Sequence, residues 1–412
     1  MNLYSNRRLN LLNKLGDNSA AIFFSGKAPM RSEDEAYDFS VDRNFYYLTG
    51  LDKEDMVLLL QNVGGIKRES LYILPFDEVL AKWVGGRLSS EEATQISGIK
   101  NVNDRSELND DVASMMNRTR KSEGFKLYLD LWHYTFDQQT TQASIYANEL
   151  RNNYPSLDIK DIYPTMVSFR IKKDEYEINC LRKAIHTTNL GIQKMMSAIR
   201  PNMNEMVVEG IFDLELRMNN CKQTSFPTIA ASGQRATVLH YVDNNHEVKD
   251  GELFLCDLGA TYNNYCADIS RTFPVNGKFS DRQKEIYQIV LNAQKLVKDN
   301  ARPGVKLGDL NKLVVDYYKE ELPKHNLFED VSQYYYHSVS HQLGLDTHDI
   351  GTDRDNVLEA GNVITDEPGL YIEDEAIGIR IEDDLLITED GAEWLSQEII
   401  KEVNDIEEFM NK

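Results

Sequence analysis

The stretch LFLCDLGATYNNYCADISRTF, Leu253 to Phe273, constrains the fold more than any other part of the chain. Apolar and β-branched residues flank Asn263-Asn264, a pair that tolerates the positive φ of a two-residue hairpin turn. With Tyr262 against Tyr265, Asp268 comes opposite Gly259, two residues along from Asp257. Side chains alternate faces along a strand, so Asp257 and Asp268 become diagonal neighbours on one face. Two carboxylates side by side repel unless something positive lies between them. The geometry therefore suggests a metal site; the competing reading is two solvent-facing aspartates near a turn. Cys256 and Cys266 alternate with the aspartates and are expected on the packed side.

A chain of 412 residues, 41% hydrophobic and 27% charged, has the composition of a globular protein of two or three domains. Its net charge of -22 argues against nucleic-acid binding, which needs clustered Lys and Arg. No run approaches the roughly 18 apolar residues of a membrane helix. The first residues lack a signal-peptide core, the longest apolar run there being Ala20 to Phe24. The four cysteines show no CxxC spacing, which fits buried free thiols in a reducing, cytoplasmic setting.

The part up to about residue 165 mixes short β-rich runs with helical ones. Ala20–Phe24, Met56–Leu60 and Leu71–Leu74 read as strands, Ser89–Ile96 and Asp110–Asn117 as helices. This predicts a compact α/β domain over 1–165, with 166–412 as a second domain. A capping-box pattern, Asp174 with Glu177, opens the latter's first long helix. That helix breaks at Arg200-Pro201, and another is expected from Glu205 to Met218. About a hundred residues later the order repeats: a helix from Ser280, a break at Arg302-Pro303, a helix over Leu307–Glu321, then strands. Helix, break, helix, strands, twice over, predicts a pseudo-symmetric α/β domain with helices outside a curved sheet.

The chain has eight histidines, and His337, His341 and His348 fall within one window read as a strand, YYYHSVSHQLGLDTHDIG. Such clustering, with Gly344 and Gly351 nearby, points to a site rather than to structural histidines. Downstream, Glu367 precedes a Pro-Gly bend. Glu382 sits in the apolar run Ile379–Leu386, two residues from Arg380 and expected on the same face. A carboxylate in so apolar a run is costly to bury unless paired or metal-bound; an exposed Arg380–Glu382 ladder is the alternative. Together, Asp257, Asp268, His341, Glu367 and Glu382 form an oxygen-rich set with one nitrogen. Such a set suits Mn²⁺ or a related ion, and four carboxylates match two ions rather than one.

The segments CDLGATYNNYCADISRTFPVNGKF, HSVSHQLGLDTHD, TDEPGLYI and GIRIEDD closely resemble the metallopeptidases of the pita-bread fold, and within them aminopeptidase P and prolidase. Arg43–Gly50 (RNFYYLTG) and Trp83–Arg87 (WVGGR) resemble the non-catalytic first domain of aminopeptidase P. The resemblance implies that Asp257 chelates one metal, that Asp268 and Glu382 bridge two, and that His341 and Glu367 complete the other shell. It also implies that Glu367 acts as general base, that His348 stabilises the oxyanion, and that His240, in VLHYVDNN, lies near the scissile bond. His337, Tyr371 and Arg380 would shape the substrate pocket. The implied activity releases the N-terminal residue from peptides with proline second, in a homodimer or homotetramer. Gln342 stands where many members carry Trp, Ser338 where Gly is usual, and Leu258 in place of a small residue; no ligand is lost.

Xaa-Pro dipeptidases share every ligand, so prolidase remains the nearest alternative. Creatinase-like hydrolases lack the metal set, and methionine aminopeptidases usually lack the first domain. A non-catalytic protein on the same fold is a further alternative, although such relatives typically lose ligands. No GxSxG elbow supports a serine hydrolase.

Overall fold

The computed structural model describes residues 2–412, which form two compact units dividing between Met166 and Val167. The first is built on a mixed sheet of six strands: β1 (Ser19–Phe24), β2 (Val57–Val63), β3 (Ile66–Ile73), β4 (Val102–Asp104), β5 (Lys126–Leu129) and β6 (Asp158–Asp161), in the order β4-β3-β2-β1-β5-β6. β1 is buried along its whole length, as expected of a central strand covered on both faces. Ile22, Leu59, Tyr72, Leu127 and Leu129 pack there with Val112, Met115 and Leu150 from two helices. β3 begins earlier than its apolar residues suggest. It pairs with β4 only over Leu71–Ile73, so its first half is an edge on that side and carries the exposed Lys67 and Arg68.

In the second unit the helix Glu175–Ala198 opens with the Asp174/Glu177 capping box, and the helix Glu205–Met218 follows the Arg200-Pro201 break. The helix Asp281–Asn300 opens with a Ser280/Gln283 box, and Leu307–Glu321 follows. After the first helix pair come β7 (Ile229–Ser232), β8 (Leu253–Leu258), β9 (Thr261–Tyr262), β10 (Tyr265–Cys266) and β11 (Ile269–Pro274). After the second come β12 (Val363–Asp366), β13 (Gly369–Ile372), β14 (Ile377–Arg380), β15 (Asp383–Ile387) and β16 (Ala392–Trp394).

Both halves use these strands alike. Each has a three-stranded sheet, β11-β8-β7 or β12-β15-β16, whose antiparallel pair (β8 with β11, β12 with β15) is joined through a separate two-stranded ribbon, β9–β10 or β13–β14. In the first half the turn lies at Asn263-Asn264, with φ of 49° and 64°, and Tyr262 opposite Tyr265. The same register runs past the ribbon, pairing Leu258 with Ile269 and Asp257 with Ser270.

The ladder opens where ribbon and sheet part company. Asp257 lies in the last turn of the β8 ladder and Asp268 immediately before β11, while Glu367 directly follows β12 and Glu382 directly precedes β15. Each half therefore supplies two carboxylates from one structural feature, a hairpin that breaks and restarts. The halves are tied at this point by the Glu382 N–H, which donates to the Ser270 carbonyl at 3.1 Å. Arg380 and Glu382 stand on either side of a strand break rather than on one continuous strand.

The histidine segment is not the regular strand its sequence suggests. Its carbonyls at Val339 and His341 accept from Glu367 and Thr365 of the second half's sheet. The reciprocal donors are diverted: Val339 N–H goes to Asn311 Oδ1 and His341 N–H to Thr365 Oγ1. Side-chain acceptors have replaced half of the ladder.

Candidate metal centre

Asp268, His341 and Glu382 each place a ligand atom within 4.8 Å of the others. Ligands on one ion at about 2.1 Å lie roughly 3–4 Å apart, so this spacing fits a shared cation. His341 Nε2 is 3.4 Å from both Asp268 Oδ2 and Glu367 Oε1. Its Nδ1 is 3.0 Å from the Gln342 carbonyl, which can only accept, so Nδ1 carries a proton and Nε2 is the atom turned towards the carboxylates. Deprotonated at Nε2, the ring would offer its lone pair to a cation held among these oxygens.

Asp257 adjoins this group. Its Oδ2 accepts from Arg380 Nη2 at 2.7 Å, while its Oδ1 is buried with no hydrogen-bond partner among the described residues. An oxygen left bare in this way suits a metal ligand. Arg380 also donates to Ser270 Oγ (2.8 Å), which donates to Glu382 Oε2 (2.6 Å). Arg380 and Glu382 are thus both buried and linked through Ser270, not an exposed ladder.

The electrostatics agree. Burial pushes the Asp268 carboxyl well above its ordinary range, and Asp257, Asp384 and Glu367 add to the effect. Burial does the same to Glu382, reinforced by Asp268, Glu367 and Asp257, and it raises Glu367 despite the opposing His341 and Arg380. These carboxyls cannot all ionise with the positive charge the chain itself provides; divalent ions would supply the deficit. Oxygen donors, one imidazole and a bare oxygen fit such ions.

Around the cluster lies a hydrogen-bonded wall. Arg380 Nη1 donates to Tyr371 Oη at 2.9 Å, and Tyr371 Oη lies 2.9 Å from His337 Nε2. His337 Nδ1 faces the Ser338 carbonyl at 2.9 Å, so Nδ1 carries the proton and Nε2 accepts from Tyr371. Burial, with Arg380 nearby, lowers His337 to about 3, which keeps it neutral. The His348 ring stands 4.3 Å from that of His341, edge to face, and burial with the nearby imidazoles brings it down to about 4. His240 is exposed and lies near enough to His337 and His348 to act on both. The structure thus gathers Asp268, His341, Glu382 and Glu367 directly, sets Asp257 beside them through Arg380, and ranges His337, His348, Tyr371 and His240 around them.

Two supporting residues escape the sequence reading. Ser270 joins Arg380 to Glu382, and Thr365 Oγ1 donates to Glu367 Oε1 at 3.1 Å while accepting from His341 N–H. Ser270 had a signal: it lies two residues from Asp268, on the same strand face. Thr365 had none.

The model of metallopeptidase family M24 matches residues 179–389, and that of the aminopeptidase P N-terminal domain matches residues 4–123. The Xaa-Pro aminopeptidase of Haemophilus influenzae is 34% identical, over 99% of this chain and 97% of that protein. The Xaa-Pro aminopeptidase of Escherichia coli is 32% identical over the same shares. Among solved structures, proline aminopeptidase P II from Yersinia pestis superposes with a TM-score of 0.88 at 31% identity, covering 99% of each chain. The second unit accordingly has the pita-bread fold, and the chain belongs to metallopeptidase family M24, in its aminopeptidase P branch.

Proposed function

We propose that this protein is a metal-dependent exopeptidase that removes the N-terminal residue from peptides with proline in second position. The observation that carries the chemistry is His341 Nε2, held 3.4 Å from two buried carboxylates beside Glu382. The relatives named above support the substrate class. Asp257 would hold one ion, Asp268 and Glu382 would be shared between two, and His341 and Glu367 would be ligands of the other. Manganese is the ion we favour, on the oxygen-rich donor set. When bound, such a pair of ions acidifies a water and polarises a carbonyl.

Within this reading the chain's own groups have separate tasks. Glu367, raised by burial, takes the proton of the attacking water and passes it to the departing proline nitrogen. His348 donates to the oxyanion that develops on the scissile carbonyl. His240 lies at the scissile bond from the open side. Tyr371, held by Arg380, and His337, held by Tyr371, present ring faces against which a proline ring can rest. The Xaa-Pro amide has no N–H to donate, so a site that asks for none accepts it.

All ten of these residues lie in 166–412, which we take as the catalytic domain, with 1–165 non-catalytic. On that first unit Trp83 is 82% exposed and Phe136 fully so, which favours a homodimer or homotetramer. We place the enzyme in the cytoplasm, consistent with four buried free cysteines.

The test is a panel of Xaa-Pro-Xaa tripeptides and Xaa-Pro dipeptides with the metal-loaded protein. Release of the first residue from the tripeptides is expected. Turnover confined to the dipeptides would assign the chain to the prolidase reading instead.

A further inference from the structure

Glu205 is fully buried at the start of the helix Glu205–Met218, far in sequence from every residue assigned above. Its carboxylate is a hub. Oε1 accepts from Ser232 N–H, Ser232 Oγ and Arg235 Nε, each at 2.9 Å. Oε2 accepts from Tyr241 Oη at 2.9 Å and His246 N–H at 3.0 Å. Ser232 ends β7, and His246 closes the loop that follows. One carboxylate thus ties both ends of the segment 232–246, and His240 lies between them.

The rest of the loop is held less directly. Asn244 Oδ1 accepts from Ala230 N–H at 3.0 Å, and its Nδ2 donates to the Thr228 carbonyl at 2.8 Å. Tyr336 Oη donates to the Thr237 carbonyl. A Cβ on Gly378 would stand 2.1 Å from the Ala236 carbonyl oxygen, so the loop lies directly on β14, the strand that ends in Arg380. His240 itself is exposed, and its backbone must place it.

We propose that Glu205 is a positioning residue that holds His240 over the metal cluster. The inference rests on the role given above to His240. The donor set calls for a full carboxylate. Every group facing Glu205 is a donor, and three of them are N–H groups that cannot accept. Glutamine keeps the size but turns one oxygen into an NH₂. In either amide orientation that NH₂ confronts Ser232 N–H and Arg235 Nε–H, or His246 N–H. A buried donor pair of this kind forces the loop to shift.

The experiment is a double-mutant cycle on the metal-loaded full-length protein, with a tripeptide carrying proline second. Glu205→Gln should lower kcat/KM by about tenfold to hundredfold, the scale of a misplaced catalytic group. In a His240→Ala background the same change should cost less than about threefold, because the group it positions is gone. Bound metal should be unchanged, and amide exchange over 233–246 should quicken. Losses that multiply, or loss of metal from Glu205→Gln, overturn the inference. A His240→Ala variant as active as the wild type instead overturns the role of His240 on which the inference stands. Tyr241→Phe removes one donor without a buried conflict. It should cost about two- to fivefold in the wild-type background and nothing beside His240→Ala, so it decides the question if Glu205→Gln does not fold.

Discussion

Two buried groups of carboxylates lie next to each other in the second unit and behave in opposite ways. Asp349 follows His348 in sequence and is as buried as Asp268. Burial would raise it, but Arg170 and Lys173 outweigh that and hold it below the usual range. Arg170 Nη2 donates to Asp349 Oδ1, and Lys173 Nζ to Oδ2 at 3.1 Å. Asp383 is likewise met by Arg271 and Lys401 and lies below its ordinary value. Asp268 and Glu382 have no such partners and lie well above theirs. Asp349 and Asp383 are thus neutralised by the chain's own cations, whereas Asp268 and Glu382 are left to an outside ion. Asp366 and Asp384 are raised by burial too, so the difference marks a site only where the carboxylates also converge on an imidazole, as at Asp268, His341 and Glu382.

The comparison can be broken from either side. The largest effect is expected at the cluster: Asp268→Ala or Glu382→Ala should abolish peptide cleavage by releasing both ions, and retained turnover in either would contradict a bridging role. Glu367→Gln should lower kcat by about 10²–10⁴-fold with little change in KM, the range of general acid–base catalysis; a pure loss of affinity would remove Glu367 from that task. On the other side, Asp349→Asn leaves Arg170 and Lys173 facing a neutral amide and should cost about 3–5 kcal/mol of stability in chemical denaturation, the usual penalty for breaking a buried pair. His348→Ala should act mainly on kcat, and a change in KM alone would end its oxyanion role.

The pH dependence of the metal-free protein sharpens the same contrast with a smaller effect. Asp268, Glu367 and Glu382 lie above the ordinary carboxylate range, so each of them holds its proton more tightly in the folded metal-free chain than in the unfolded one. Their contribution to stability is fully present below about pH 4 and declines as pH rises towards their folded values. Asp349 runs the other way: its contribution is present above about pH 4 and is lost as pH falls through its depressed folded value. His337 and His348, lowered to about 3 and about 4, act in the opposite sense up to about pH 6.5, so the cluster's share is read from the difference between two proteins: thermal unfolding between pH 4 and 8 should show metal-free Asp268→Asn losing less stability with rising pH than the metal-free wild type. An unchanged slope would mean the cluster carries no uncompensated charge.

Much of this was legible in the sequence where the signals were local. The Asn263-Asn264 turn and its register follow from φ preferences and from alternation, and they place Asp257 and Asp268. The Asp174/Glu177 and Ser280/Gln283 boxes set the helix starts, and the Arg-Pro breaks set the ends. What could not be read depends on distant partners. Arg170 and Asp349 are 179 positions apart, so nothing in the sequence says that Asp349 is neutralised while Asp268 is not. The histidine segment reads as a strand because its residues suit one; the Asn311 and Thr365 side chains that divert its donors lie elsewhere in the chain. Glu205 reads as an ordinary first-turn helix acid, since its five donors come from a loop 27 or more residues away.

Stripping the protein of divalent ions and titrating Mn²⁺ back, with bound metal and tripeptide cleavage followed together, tests the central claim most directly. Two ions per chain should bind, release protons and restore cleavage from near zero, and Asp268→Ala should bind neither. Full cleavage by the stripped protein, or restored cleavage in Asp268→Ala, would contradict it.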